Sequence, residues 1–243
     1  MPSLPLFKTL ILDLGDVLLT WNPEVMQCSV PWAILKGMRS SGTWKDYERG
    51  HLSQHDCYAR LSSEFSIPAD DIAVGYQQAL ACLQVNRDLA SLVQELKASD
   101  AGLRVYALTN VSIPEFSFVY KLPLEWTTFD AVFPSCLIGE RKPDREIYDK
   151  LITATGIDPR TAVFVDDKQQ NVEAARALGM HGVVCNNPNT IASALRGVFL
   201  GPLQRAVRFM QAHAGALQSV TDDGRTFMEY IAQLLILDTM DDE

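Results

Sequence analysis

Short strand-like apolar runs recur along this chain, with helical stretches between them. Residues 7–12 (FKTLIL), 104–108 (RVYAL), 129–133 (FDAVF), 162–165 (AVFV) and 182–185 (GVVC) predict five strands. Residues 88–98 place Leu89, Leu92, Val93 and Leu96 on one helical face. Two more helices are expected over 144–155, entered after Pro143 and stopped by Gly156, and over 169–178, stopped by Gly179. Strands alternating with helices predict an α/β fold, a doubly wound parallel sheet with helices on both faces. Ligands of such sheets bind beyond the carboxyl ends of the strands.

Residues 21–86 break that alternation and read as a helical insert, with helices over 31–39, 44–48, 53–65 and 70–83. Ser53 with Asp56 three residues on resembles a capping box. The insert follows the first strand directly, so it is expected to sit over that strand's carboxyl end. It carries Trp21, Trp32, Met38, Trp44, Tyr47, Tyr58, Phe65 and Tyr76, read as a small core of its own with some members facing an apolar pocket. After the last strand, 203–214 and 227–237 look helical and amphipathic, and the chain ends in acidic DTMDDE. The expected organisation is a core from 1–20 and 87–200, a helical insert at 21–86 and a helical C-terminal extension at 201–243.

Composition narrows the function. A net charge of -9 weighs against nucleic acid as the main partner, so an anionic substrate needs local cations or a metal. The apolar runs are far short of a membrane span, and MPSLPLFKT lacks the basic segment and apolar core of a signal peptide. Five cysteines without a close pair argue against a disulfide framework or a zinc site and for a reducing compartment, hence a cytoplasmic setting. His51, His55, His181 and His213 are dispersed and read as surface or packing residues.

Four short pieces lie at or just past predicted strand ends: LDLGDV with Asp13, LTN with Thr109 and Asn110, ERKPD with Lys142, and FVDDKQQN with Asp166, Asp167 and Asn171. Together they supply what phosphoryl transfer needs. One carboxylate attacks phosphorus, and a carboxylate site holds Mg²⁺. A hydroxyl and an amide bind phosphate oxygens, and a lysine neutralises charge. Arg141, beside Lys142, is a candidate contact for a second phosphate.

In this order and spacing the pieces resemble the haloacid dehalogenase-like (HAD) superfamily over residues 7 to about 199, with the helical insert at the position of that superfamily's cap. The resemblance implies Asp13 as nucleophile, Thr109 as the phosphate-binding hydroxyl and Lys142 as the organising cation. It also implies Asp167 as Mg²⁺ ligand, with Asp166 and Asn171 assisting and the backbone carbonyl of Gly15 completing the site. The superfamily's phosphatases usually carry Asp-x-Asp, the second Asp protonating the leaving oxygen. Here that position is Gly15. A missing general acid typically costs about 10²–10⁴ in rate, most when an alkoxide leaves and least when a stable anion such as phosphate leaves. Asp16, one residue displaced, is a candidate substitute that an extended chain would point the wrong way. The superfamily's dehalogenases also lack the second acid, but they work without a metal, and the Asp166–Asp167 pair argues for Mg²⁺.

A closer resemblance runs nearly end to end. DLGDVLLTW, TWKDYERGHLS, LRVYALTNVSIPEF, GERKPDREIY, VFVDDKQQNVEAARALGMHGVV and FMEYIAQLLILDT look like a fungal HAD-like group associated with drimane-type sesquiterpene pathways. The group contains cyclases of farnesyl diphosphate and phosphatases of the cyclised product. Its cyclases carry a protonating Asp-x-Asp-Thr-Thr segment beyond the tail and tend to Asp-Asp-x-x-Glu at the metal site. These residues hold no such segment and read DDKQQ, with Gln170 in place of the glutamate. The resemblance therefore implies a Mg²⁺-dependent phosphatase acting on a prenyl-type phosphate or diphosphate. A terpene cyclase, or part of one, is the alternative, and another small-molecule phosphatase of the superfamily is a further one.

Overall fold

The computed structural model of the chain describes residues 7–21 and 28–201. The helices expected over 203–214 and 227–237 lie outside the described residues. Along the chain come β1 (Thr9–Leu12), β2 (Leu19–Trp21), α1 (Trp32–Met38), α2 (Gly42–Glu48), α3 (Gln54–Phe65), α4 (Ala69–Leu80) and β3 (Leu83–Val85). There follow α5 (Arg87–Ser99), β4 (Arg104–Thr109), α6 (Ile113–Val119), β5 (Ala131–Pro134), α7 (Ser135–Ile138) and α8 (Arg145–Thr155). The last are β6 (Ala162–Asp166), α9 (Gln169–Ala177), β7 (His181–Val184) and α10 (Ile191–Leu200). Residues 7–191 make one compact unit, and the described part of a second begins at Ala192.

The five expected strands form one parallel sheet in the order β5-β4-β1-β6-β7. The chain runs outward from β1 to β4 and β5, then returns to β6 on the other side of β1. The order therefore reverses between β1 and β6, where open α/β sheets bind ligands. Ile11, Tyr106, Leu108 and Phe164 pack one sheet face against Ile147, Tyr148 and Leu151 of α8 and Val172 and Ala175 of α9. Their strand neighbours Leu10, Leu12, Val105, Ala107, Val163 and Val165 point to the other face and are also buried. A sheet covered on both sides explains why these strands read as apolar runs rather than alternating ones. Burying each larger side chain contributes about 1.5–3 kcal/mol.

Helices α1–α4 enclose a core of their own that includes Leu35, Met38, Trp44, Tyr47, Tyr58, Leu61, Ile72 and Tyr76. Trp44 lies 4.4 Å from Tyr76 and 5.4 Å from Tyr47 between ring centroids. Ser53 caps α3 by accepting from Asp56 N at 3.1 Å.

The insert is not helical throughout. Its two ends, LTW and LQV, pair as an antiparallel ribbon of β2 and β3, and α4 stops at Leu80. Three-residue strands are too short for a period of two to stand out against neighbouring helices. The same shortness hides α7, a single turn of four residues. α6 begins with a full capping box between Ser112 and Glu115. In α10, Ile191, Leu195 and Phe199 are the buried positions, four residues apart. Among the described residues no helix is long and apolar enough to cross a membrane.

Specific contacts seat the insert on the sheet's carboxyl end. Ser135 Oγ donates to the Glu48 carbonyl at 2.6 Å. Arg49 pairs with Asp144 at the start of α8. Gly50, at φ +76°, is required by close approach: a Cβ there would stand 2.4 Å from the Cys136 carbonyl oxygen. On the return, Asn86 caps α5 and donates to the carbonyls of Val17 and Pro188 at 3.2 and 2.8 Å.

Candidate active site

Asp13 is the first residue past β1. Its N–H donates to the Val165 carbonyl at 2.9 Å, which ties it to the neighbouring strand one step beyond the paired residues. Asp13 Oδ1 accepts from Leu14 N at 2.7 Å and lies 3.0 Å from Lys142 Nζ. Lys142 is wholly buried, and its ammonium also donates to the Leu108 carbonyl and to Asp166 Oδ2, each at 2.6 Å. An ammonium has three N–H donors, so all of them are engaged. Burial opposes the lysine's charge, but Asp13 and Asp166 outweigh it and its pKa is raised.

The other expected residues gather around this pair. Asn110 accepts from Lys142 N at 2.8 Å and donates to the Lys142 carbonyl at 2.9 Å. Its amide therefore holds the lysine's backbone in place. Thr109, buried at the end of β4, stands beside it. Asp166 accepts three hydrogen bonds: from Lys142, from Lys168 N at 2.8 Å and from Asn171 Nδ2 at 2.9 Å. Asn171 is itself anchored through its carbonyl, which accepts from Tyr148 Oη at 2.8 Å. Arg141 is turned to the insert, with Nε and Nη2 each 3.0 Å from Glu48 Oε2.

Asp16 has φ +55°, so the chain turns there in the left-handed region and strand alternation does not govern its side chain. Its pKa is raised, first by burial and then by Asp167, against Lys168, Lys36 and Arg39. A Cβ added at Gly15 meets no heavy atom within 4 Å, so the position is open space.

Asp13, Asp166 and Asp167 can each bring one carboxylate oxygen within 4.8 Å of the others. Burial pushes the Asp13 pKa from 3.8 up to about 7 against the pull of Lys142, with Asp166 and Asp167 adding to the rise. Three carboxylates face two lysines, Lys142 between Asp13 and Asp166 and Lys168 paired with Asp167, which leaves negative charge uncompensated. An all-oxygen donor set of this charge fits a hard divalent cation such as Mg²⁺. Asp13 Oδ2 and Asp167 Oδ1 are the more open donors, since Asp166 already accepts three bonds and Lys168 holds Asp167 Oδ2.

Two residues at this end of the sheet went unread in the sequence. Glu48 joins Arg141 and also accepts from Trp44 Nε1 at 3.0 Å. Arg39 lies between Glu48 and Glu115, 3.6 Å from each. No local motif marks either; only the insert's packing brings them here.

Comparisons with known proteins bear on the family. Drimenol cyclase drtB from Aspergillus calidoustus is 34% identical over 236 residues, covering 97% of this chain. The chain spans 44% of that relative's length. Sesquiterpene phosphatase astK from Aspergillus oryzae is 39% identical over 177 residues, covering 73% of this chain and 89% of the relative. The fold matches that of a predicted HAD-like family hydrolase from Porphyromonas gingivalis, with a TM-score of 0.61 at 24% identity over 79% of this chain and 98% of that one. Residues 203–243 match the sesquiterpene cyclase astC-like C-terminal domain. Residues 7–179 match the haloacid dehalogenase-like hydrolases, and with Asp13, Lys142 and the paired aspartates at the sheet's switch point, the chain belongs to that family.

Proposed function

We propose that this protein is a Mg²⁺-dependent phosphatase that removes phosphate from a sesquiterpenyl phosphate or diphosphate through an aspartyl-phosphate on Asp13. The observation that carries the reading is the buried Asp13–Lys142–Asp166 chain with Asp167 beside it. Asp13 is held by the Leu14 N–H and by Lys142 through Oδ1, which leaves Oδ2 as the attacking oxygen. Lys142 favours the ionised form of Asp13 against burial and offsets charge as the phosphoryl group arrives. Asp166 and Asn110 orient Lys142, the first through its ammonium and the second through its backbone. Thr109, at the end of the neighbouring strand, binds a phosphate oxygen. Asp13, Asp167 and the Gly15 carbonyl would hold Mg²⁺, with Asp166 assisting; when bound it neutralises phosphate charge. Arg141 is a binding residue only if a substrate anion displaces Glu48. Asp16 accounts for no proton transfer in this scheme and balances the cations of the insert. The sesquiterpenyl body is proposed from the phosphatase relative and from the apolar insert over the site. Five free thiols suit a reducing compartment, and the cytoplasm is the proposed setting.

Product analysis with Mg²⁺ and a farnesyl or drimane-type diphosphate tests this. Inorganic phosphate should appear with the native protein and disappear with Asp13→Asn. A second reading is favoured by the match of residues 203–243 to a cyclase C-terminal domain: the fold binds the diphosphate while the carbon skeleton is cyclised. A cyclised diphosphate with no phosphate released would select it.

A further inference from the structure

Arg39 of the helical insert lies between two carboxylates. Its guanidinium is 3.6 Å from Glu48 Oε1 and 3.6 Å from Glu115 Oε1, with the Trp44 ring 5.4 Å away. At that separation neither carboxylate is within hydrogen-bond reach. The side chain is oriented from three sides, yet its five N–H donors make no hydrogen bond among the described residues. Its charge partners are shared: Glu48 also holds Arg141 and Trp44, and Glu115 accepts from Ser112 N and Oγ through its other oxygen, Oε2. Arg39 reaches this end of the sheet through Glu48, which also holds Arg141 beside Lys142, and through Glu115 in the first turn of α6.

A second observation concerns the leaving group. At Gly15 there is open space where the family's phosphatases carry the acid that protonates a departing alkoxide. A departing phosphate monoester needs no such proton, because its last ionisation lies near pH 6. It needs instead a cation to receive its charge.

We infer that the site selects an alkyl diphosphate over the corresponding monophosphate, with Arg39 binding the phosphate that leaves. This rests on the phosphatase reading above. Asp13 attacks the terminal phosphorus, and the bond from that phosphorus to the bridging oxygen breaks. The electron pair departs with the bridging oxygen of an alkyl monophosphate dianion, which Arg39 holds. Water then attacks the aspartyl-phosphate phosphorus and the bond to Asp13 breaks. Both protons of the water leave with the product as H₂PO₄⁻.

The test uses farnesyl diphosphate and farnesyl monophosphate with the Mg²⁺-loaded full chain. Binding of methylenediphosphonate and of methylphosphonate is measured alongside by calorimetry. The native protein should favour the diphosphate in kcat/KM by about 100-fold or more. Arg39→Ala should lower kcat/KM for the diphosphate and affinity for the bisphosphonate by about 10–100-fold. The loss on the monophosphate and the monophosphonate, which present no leaving phosphate to Arg39, should be about tenfold smaller. Arg39→Lys, which keeps the charge but not the fork, should fall between. Equal kcat/KM for both substrates in the native protein overturns the inference. So does an equal loss on both in the two variants, which would mark Arg39 as purely structural. If neither substrate releases phosphate, the phosphatase reading fails, and the inference is decided by binding: bisphosphonate affinity that depends on Arg39 upholds diphosphate recognition, and affinity that ignores Arg39 removes it.

Discussion

Gly15→Asp asks whether the absent acid is what limits this site. The substitution meets no steric barrier, since a Cβ at Gly15 has no heavy atom within 4 Å and Gly15 is not among the left-handed glycines. It restores Asp-x-Asp around Leu14. A positioned general acid contributes about 10²–10⁴ in rate, equivalent to about 2.7–5.4 kcal/mol of barrier. Against this, a fourth carboxylate joins Asp13, Asp166 and Asp167. The metal-free variant should therefore melt below the native protein and recover on adding Mg²⁺. The assay is phosphate release from an alkyl monophosphate and the matching diphosphate, across pH, with Gly15→Ala as the neutral control. Monophosphate turnover should rise at least about tenfold in Gly15→Asp only, with diphosphate turnover little changed. The new activity should decline as pH rises past the pKa of the added acid, because only its protonated form donates. A folded, Mg²⁺-binding Gly15→Asp with no gain on the monophosphate would refute the reasoning.

Other outcomes follow from the same geometry. In metal-free protein, Asp13 keeps a proton that the unfolded chain has lost, because its pKa rises from 3.8 to about 7. Its contribution to stability is complete below the unfolded value and is lost as pH rises towards the folded one; Asp13→Asn should flatten that slope in urea titrations. Lys142→Met should destabilise by about 3–5 kcal/mol, since it strands two buried carboxylates, and a denaturation midpoint unchanged from native would contradict this. Mg²⁺ at about 100 times its Kd should stabilise by about 2.7 kcal/mol in calorimetry, and Asp167→Asn should remove most of that gain. Gly50→Ala should cost about 1–3 kcal/mol by combining positive φ with the Cys136 carbonyl; no loss in chemical denaturation would show that the insert shifts freely.

All five sheet strands and the helices α3, α5, α8 and α9 were legible in the sequence to within a few residues, because uniform apolar runs and helical periodicity are local properties. Helix stops were equally local: Gly156 and Gly179 both take positive φ. The short elements were not legible. β2, β3 and α7 span three or four residues each, too few for any period to show. Among site residues, Asp13, Thr109, Lys142, Asp166 and Asp167 were visible because each sits at or just beyond a strand end in a recognisable order.

Their division of labour was not visible. The sequence alone determined the sheet, the helical insert after β1, the four loops at the strand ends and the glycine where an acid usually stands. Each of these is written in neighbouring residues. The tertiary structure decided that Asn110 grips the Lys142 backbone, that Asp166 is occupied in holding the lysine, that Arg141 is taken by Glu48, and that Arg39 of the insert lies between Glu48 and Glu115. Those outcomes depend on which side chains meet across 24 to 93 residues of chain, as from Lys142 to Asp166 and from Glu48 to Arg141. Hydrogen-bond partners at that separation are set by how the insert packs on the sheet, and no local pattern encodes it.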